Sequence, residues 1–438
     1  MSIPTTDTRE IIVEILLDLE RRQDFSHKLM KAVLDKYDYL DPREKAFIKR
    51  VTEGTIERQI ELDYYLNHFS SVPVRKMKPM IRCILRMSTY QILYMDSVPD
   101  SAVCNEACKL AAKRGFRTLK GFVNAVLRTI SRQKEQMPLP DPKDTVKYFS
   151  VKYSMPEWIV NLWLSEYGAE GVETLLKGLL EIHPVSLRFS TRLSEAERGK
   201  LAEQIEQTGA TLCQSAELPY VSLAQNLENV SALPGFAEGK LTVQDASSAL
   251  AVVAAGIKCG DFVMDLCAAP GGKTMLASEF AGENGHVLSR DVSEYKTELI
   301  RENLERMHCE NVEVQVYDAT VHDSEKEGCA DVVLMDVPCS GLGVMGKKRD
   351  IKYHVTPEGL ASITELQKKI VEAGWQYVKP GGVLLYSTCT IHRGENQDMT
   401  AWICANYPFI LEEERQLLPG TDETDGFYYA RLRRDRME

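Results

Sequence analysis

Residues 265–274, DLCAAPGGKT, constrain the fold more than any other stretch of this chain. The apolar run Phe262-Val263-Met264 before them reads as a buried strand, and 275–280 after them reads as the opening of a helix. A strand, a glycine turn and a helix form a corner where backbone comes close to a ligand and the first helical N–H groups point outward unsatisfied. Three ligand classes use such a corner. A dinucleotide needs G-x-G-x-x-G, and this turn has only the adjacent pair Gly271-Gly272 after Pro270. A P-loop needs G-x-x-x-x-G-K-[ST]; Gly272-Lys273-Thr274 supplies its second half, but Cys267 stands where its first glycine belongs. The third class is S-adenosylmethionine, whose methionine end lies against a short glycine turn and has no pyrophosphate to cradle.

An ordinary strand-to-helix turn looks the same locally, and the downstream sequence separates the two. Apolar runs at 286–290, 312–317 and 331–335 lead to Asp291, Asp318 and Asp336. In a doubly wound sheet, ligands bind outside the carboxyl ends of the strands. Three carboxylates there suit ribose hydroxyls, an exocyclic amine and a cationic centre, and they would repel a polyphosphate.

The chain has 438 residues, length enough for two or three domains, and its 44% apolar content can bury a sizeable core. No apolar run is long enough to cross a bilayer and the first residues have no signal-peptide core, so a cytoplasmic protein is expected. The eleven cysteines are scattered without a C-x-x-C pair, which argues against a disulfide framework and against a zinc site; no metal is expected. The net charge of −11 is unevenly spread: residues 1–135 carry 24 Lys and Arg against 18 Asp and Glu, a net of +6, which leaves −17 on the rest. Within 105–134, Lys109, Lys113, Arg114, Arg117, Lys120, Arg128, Arg132 and Lys134 face a single Glu106, as expected of a phosphate-binding surface.

Residues 1–136 read as all-helical. Ile12, Ile15, Leu16 and Leu19 form one stripe, Asp41-Pro42 starts a helix, and 80–95 is a nearly all-apolar helix. With KGFVNAVLR at 120–128, this region resembles the NusB family of helical RNA-binding domains. Three prolines in 138–142 preclude a continuous helix and open a linker, 137–183, with two helical segments carrying Trp158 and Trp163. Strand, helix and strand at 185–192, 194–209 and 220–223 predict a small α/β subdomain over 184–241, with a turn at 234–242. From 242 to 438 strands and helices alternate, which predicts a mostly parallel, Rossmann-like sheet covered on both faces. Its fifth strand is expected at 381–386 and a late antiparallel edge strand at 427–432.

Asp336-Val337-Pro338-Cys339 follows the fourth strand and Tyr386-Ser387-Thr388-Cys389 the fifth. Adjacent strand ends bring both thiols to the cofactor side of the sheet. Carbon-5 of a pyrimidine is a poor nucleophile, but a thiolate added at carbon-6 turns the ring into an enamine whose carbon-5 attacks a methyl sulfonium. A carboxyl group at ring nitrogen 3 stabilises the charge that develops. Thiol, carboxyl and sulfonium site are all present, and the spacing alone leaves open which thiol attacks.

DLCAAPGGKT, DVPCSGLG and YSTCT resemble the RNA 5-methylcytosine methyltransferases of the NOL1/NOP2/Sun family. The resemblance implies a class I methyltransferase fold, S-adenosylmethionine as cofactor, and 16S ribosomal RNA, naked or early in assembly, as partner of a monomeric enzyme. It implies that Cys389 is the nucleophile, that Cys339 assists release of product, and that Asp336 sits beside cofactor and base. Cofactor contacts are implied for Cys267, Ala268, Ala269, Pro270, Gly271, Gly272 and Lys273, with Asp291, Asp318 and Asp336. Val337 departs from the alanine more usual in the family, and its added methyls are expected to crowd the base. Lys347-Lys348-Arg349 is expected to hold flanking phosphates. The rival readings are a family member acting on tRNA or on another rRNA cytosine, a non-catalytic RNA-binding assembly factor and a nucleoside triphosphatase.

Overall fold

The computed structural model describes residues 7–22, 26–37, 39–181, 184–227 and 229–436. The chain divides into two compact units, one of residues 1–180 with 347–354, the other of residues 181–346 with 355–438.

The first unit is helical. The helix Pro79–Tyr94 is its centre, with every residue from Cys83 to Ile92 buried. Around it pack Thr8–Arg22, Pro42–Glu57, Gln59–Phe69, Asp100–Lys113 and Lys120–Gln133, whose apolar stripes meet in one core containing Ile12, Ile48, Leu62, Ile84 and Leu127. The helix start read at Asp41 is a full capping box with Glu44. Gly54 is required by contact, since a Cβ there would lie 2.0 Å from the Tyr90 ring. The helices Thr145–Lys152 and Glu157–Leu180, with Trp163 fully buried, belong to this same unit.

The segment 347–354 is also part of it. Lys352 is buried and its Nζ donates to the carbonyls of Glu57 and Ser154, each at 2.6 Å, while Tyr353 Oη donates to Ile56 O at 2.9 Å. Burial lowers the Lys352 amine to about 7. Arg349, expected among phosphate-binding residues, is paired with Glu57 (Nε to Oε1, 3.3 Å) and Glu53.

The second unit holds two sheets. The strands β1 (Val185–Phe189), β2 (Thr211–Gln214), β3 (Val221–Gln225) and β4 (Leu241–Val243) form an antiparallel sheet in the order β2-β3-β1-β4. The turn expected at 234–242 therefore ends as a strand, because Leu241 and Thr242 turn inward against β1.

The larger sheet is built of β5 (Phe262–Asp265), β6 (His286–Asp291), β7 (Val312–Val316), β8 (Ala330–Asp336), β9 (Val378–Thr388), β10 (Phe409–Leu417) and β11 (Phe427–Arg434), in the order β10-β11-β9-β8-β5-β6-β7. The five strands β9-β8-β5-β6-β7 are parallel and the last two are antiparallel. Successive residues alternate between two apolar layers: Val263, Val332, Leu334, Val383 and Leu385 enter one, Met264, Val333, Met335, Leu384 and Tyr386 the other. This places helices on both faces, as the strand–helix alternation predicts. The strand expected at the edge, 427–432, lies one position inside it. β10 covers it with FILEEERQL, whose run of exposed glutamates solvates an edge.

Candidate active site

Because β5 to β9 are parallel, the residues at their carboxyl ends share one side of the sheet. The order reverses at β5, whose neighbours are β6 and β8, so the ligand crevice opens there.

The turn after β5 is held against β6. Ala268 N–H donates to Arg290 O at 3.0 Å, and Ala269 N–H donates to Asp291 Oδ2 at 2.9 Å. Pro270 follows a cis peptide, and Gly271, at φ +100°, caps the helix Gly272–Ala281. Only glycine takes that backbone conformation at no steric cost. Asp291 also accepts from Val292 N–H at 2.8 Å and pairs with Lys296 at 3.0 Å. Tyr317 N–H donates to Asp291 O, which sets Asp318 at the adjoining strand end. Asp318 is exposed, and the backbone N–H and hydroxyl of Thr320 hold its carboxyl below the usual range.

Deeper in the crevice Asp265 is fully buried. Its Oδ2 accepts from Thr274 Oγ1 at 2.7 Å, while Oδ1 has no hydrogen-bond partner among the described residues. Burial pushes this carboxyl up to about 7. Burial also raises the Cys267 thiol, and the charges of Asp265, Asp291 and Asp336 add to the effect, so Cys267 stays protonated and unreactive at neutral pH. Lys273 reaches back across the turn to Asp336, Nζ to Oδ2 at 2.7 Å, and lies over the Phe427 ring at 5.1 Å. Asp336 Oδ1 accepts from Ser387 Oγ at 2.8 Å. The donor set fits S-adenosylmethionine. Carboxylates at successive strand ends can accept from hydroxyls and amines and favour a cationic centre, while no complete phosphate cradle is present.

Asp336 pairs in register with Ser387, so the loops leaving β8 and β9 run side by side. Cys339 Sγ and Cys389 Sγ are 3.1 Å apart. Gly343 N–H donates to Cys389 O at 3.1 Å, and a Cβ on Gly343 would meet Gly426 O at 2.0 Å, so these backbones touch. The hydrogen bond with Cys389 raises the Cys339 thiol well above its ordinary value, and burial and the charge of Glu395 act in the same direction. Val337 is buried in the apolar layer with Met264, Met335 and Tyr386, so its methyls pack in the core and the crowding expected of them does not arise.

The sequence reading missed Ser387, Ser340 and Glu395. Ser387 had a signal, since it stands in YSTC at the register position opposite Asp336. Glu395 had none: it lies in the polar stretch HRGENQD, six residues past Cys389, yet is fully buried. Among the described residues no cluster of His, Cys, Asp and Glu is arranged to hold a metal, and no helix is long and apolar enough to cross a membrane.

A family model described as "16S rRNA methyltransferase RsmB/F" matches residues 253–433, and one described as "NusB family" matches residues 6–132. The chain is 32% identical, over 98% of its length and 99% of the relative's, to the "Probable ribosomal RNA small subunit methyltransferase B" of Bacillus subtilis (strain 168). Among solved structures, PH0851 superposes with a TM-score of 0.79 at 25% identity, covering 99% of both chains. NSun6 from Pyrococcus horikoshii, solved with the S-adenosylmethionine analogue SFG, gives 0.56 at 20% identity over 64% of this chain and 97% of its own, a likeness of fold. The chain belongs to the ribosomal RNA small subunit methyltransferase B family, S-adenosylmethionine-dependent enzymes in which a helical NusB region precedes a Rossmann-like RsmB/F methyltransferase region.

Proposed function

We propose that this protein methylates carbon-5 of one cytosine in 16S ribosomal RNA through a covalent adduct on Cys389. S-adenosylmethionine supplies the methyl group as an electrophilic sulfonium, held by the turn from Cys267 to Lys273 with Asp291, Asp318 and Asp336. Cys389 adds to carbon-6 of the base, which makes carbon-5 nucleophilic. Asp336, fixed by Lys273 and Ser387, faces the ring and passes the proton given up by the Cys389 thiol to nitrogen 3, neutralising the charge that develops there. Once carbon-5 is methylated, its proton passes to a solvent base and Cys389 leaves carbon-6 as a thiolate by elimination, a release that Cys339 assists.

The observation that carries this reading is the 3.1 Å separation of the two sulfurs beside Asp336, which lets one ring engage both. The helical unit carries cations of its own for RNA phosphates. Lys109, Lys113, Arg114 and Lys134 are already paired with carboxylates, whereas Arg117, Lys120 and Arg128 have no such partner among the described residues. A target base inside folded RNA must be splayed out to reach the crevice, so naked or early-assembling cytoplasmic rRNA is the expected substrate and the enzyme is expected to act as a monomer. Methyl transfer from tritiated S-adenosylmethionine to 16S rRNA, followed by bisulfite mapping, tests the proposal. One new 5-methylcytosine supports it, and transfer confined to tRNA or to another atom contradicts it.

A further inference from the structure

Two thiols 3.1 Å apart at the ends of neighbouring strands are nearly equivalent, and something must distinguish them. Glu395 is asymmetric with respect to the pair. It is fully buried, and its carboxylate accepts from Ser340 N–H at 2.9 Å, Ser340 Oγ at 2.6 Å and Gln367 Nε2 at 3.1 Å. His392 Nδ1 lies 3.3 Å from Oε1. Ser340 is the residue next to Cys339, and its Oγ also lies 2.8 Å from Thr390 Oγ1, next to Cys389. Gln367 in turn donates to Pro338 O, so the carboxylate is tied to both flanks of Cys339. A buried negative charge held this way is costly unless fully paired, and it disfavours a second negative charge nearby.

We propose that Glu395 is the positioning residue that decides which sulfur attacks: its charge, held at the flanks of Cys339 by Ser340 and Gln367, keeps Cys339 as hydrogen-bond donor to Cys389, leaving Cys389 to be the nucleophile. This rests on the thiol-addition reading above for its consequence, but the assignment of donor and acceptor is a property of the protein alone. The charge of Glu395 adds to the hydrogen bond with Cys389 and to burial in raising the Cys339 thiol. Ser340 and Gln367 supply the rigidity.

The test is alkylation of the full-length protein by iodoacetamide across a pH series, with each cysteine peptide quantified by mass spectrometry. In the wild type Cys389 alkylates before Cys339 at every pH, and the reverse order overturns the proposal without any variant. Glu395→Gln keeps the shape and removes the charge; Cys339 alkylation then shifts toward lower pH, with a gain of about tenfold near pH 8, equivalent to about one pKa unit. Ser340→Ala leaves the charge in place and should leave Cys339 slow. An unchanged Cys339 profile in Glu395→Gln, or equal acceleration in both variants, assigns the effect to packing and rejects the inference. RNA containing 5-fluorocytidine adds a second readout. Its adduct maps to Cys389 in the wild type and in part to Cys339 in Glu395→Gln, whereas an adduct that stays wholly on Cys389 in the variant counts against the inference. If the wild type forms no adduct, the cytosine-5 reading fails, while the alkylation order still decides the role of Glu395.

Discussion

Lys273 Nζ lies 2.7 Å from Asp336 Oδ2, joining the helix that follows β5 to the end of β8. The sequence reading assigned Lys273 to the cofactor turn; in the structure its ammonium is committed to the carboxylate expected to face the base. The pair is only partly exposed, so removing one member leaves the other poorly compensated.

Lys273→Met should therefore damage the transferring step more than cofactor binding. With Asp336 anchored only by Ser387, turnover is expected to fall by about 100-fold, the scale of losing one preorganised electrostatic partner. The dissociation constant of S-adenosylmethionine, measured by calorimetry, should change far less. A loss confined to cofactor affinity would mean that Lys273 serves the cofactor alone and not the Asp336 carboxylate.

Asp265 makes the stability of the methyltransferase unit depend on pH. Its folded pKa of about 7 lies above the ordinary carboxyl value of about 4, so the folded state holds a proton that the unfolded state has released. The stabilisation is complete below about pH 4 and is lost as the pH rises through about 7, an effect on the order of a few kcal/mol. Asp265→Asn should flatten the melting temperature across this window, and calorimetric scans at stepped pH read it directly. An unaltered slope would mean that Asp265 is ionised in the native protein.

Lys352 has the opposite sign. Its folded pKa of about 7 lies below the ordinary lysine value of about 10.4, so the unfolded state binds the extra proton. The stability tied to Lys352 is present above about pH 10 and is lost as the pH falls through about 7. Lys352→Met strands the carbonyls of Glu57 and Ser154 and should cost about 1–3 kcal/mol at alkaline pH, with the difference narrowing toward about pH 7. Urea midpoints of the two proteins at stepped pH measure it; a constant difference would contradict the titration.

The strands around the site were legible because their residues alternate between two buried layers, as Val332 to Met335 and Val383 to Tyr386 do. The glycine turn and the strand-end carboxylates were legible because the chemistry fixes residue type at fixed places. β10 was not, since a strand with glutamates at three successive positions has no apolar period to read. Nor was Glu395, whose burial comes from partners brought by two other segments, at Ser340 and Gln367. The resemblance supplied roles for Cys339 and Cys389, while their 3.1 Å separation is a fact of the folded loops.

The most direct measurement is denaturing electrophoresis of Cys339→Ala and Cys389→Ala after incubation with 16S rRNA and S-adenosylmethionine, with any shifted band digested and sequenced by mass spectrometry. The account predicts a denaturant-resistant protein–RNA band for Cys339→Ala, joined at Cys389 to a methylated cytosine, and neither a band nor methyl transfer for Cys389→Ala. Methyl transfer by Cys389→Ala at the wild-type rate, or a band joined through any other residue, would contradict it.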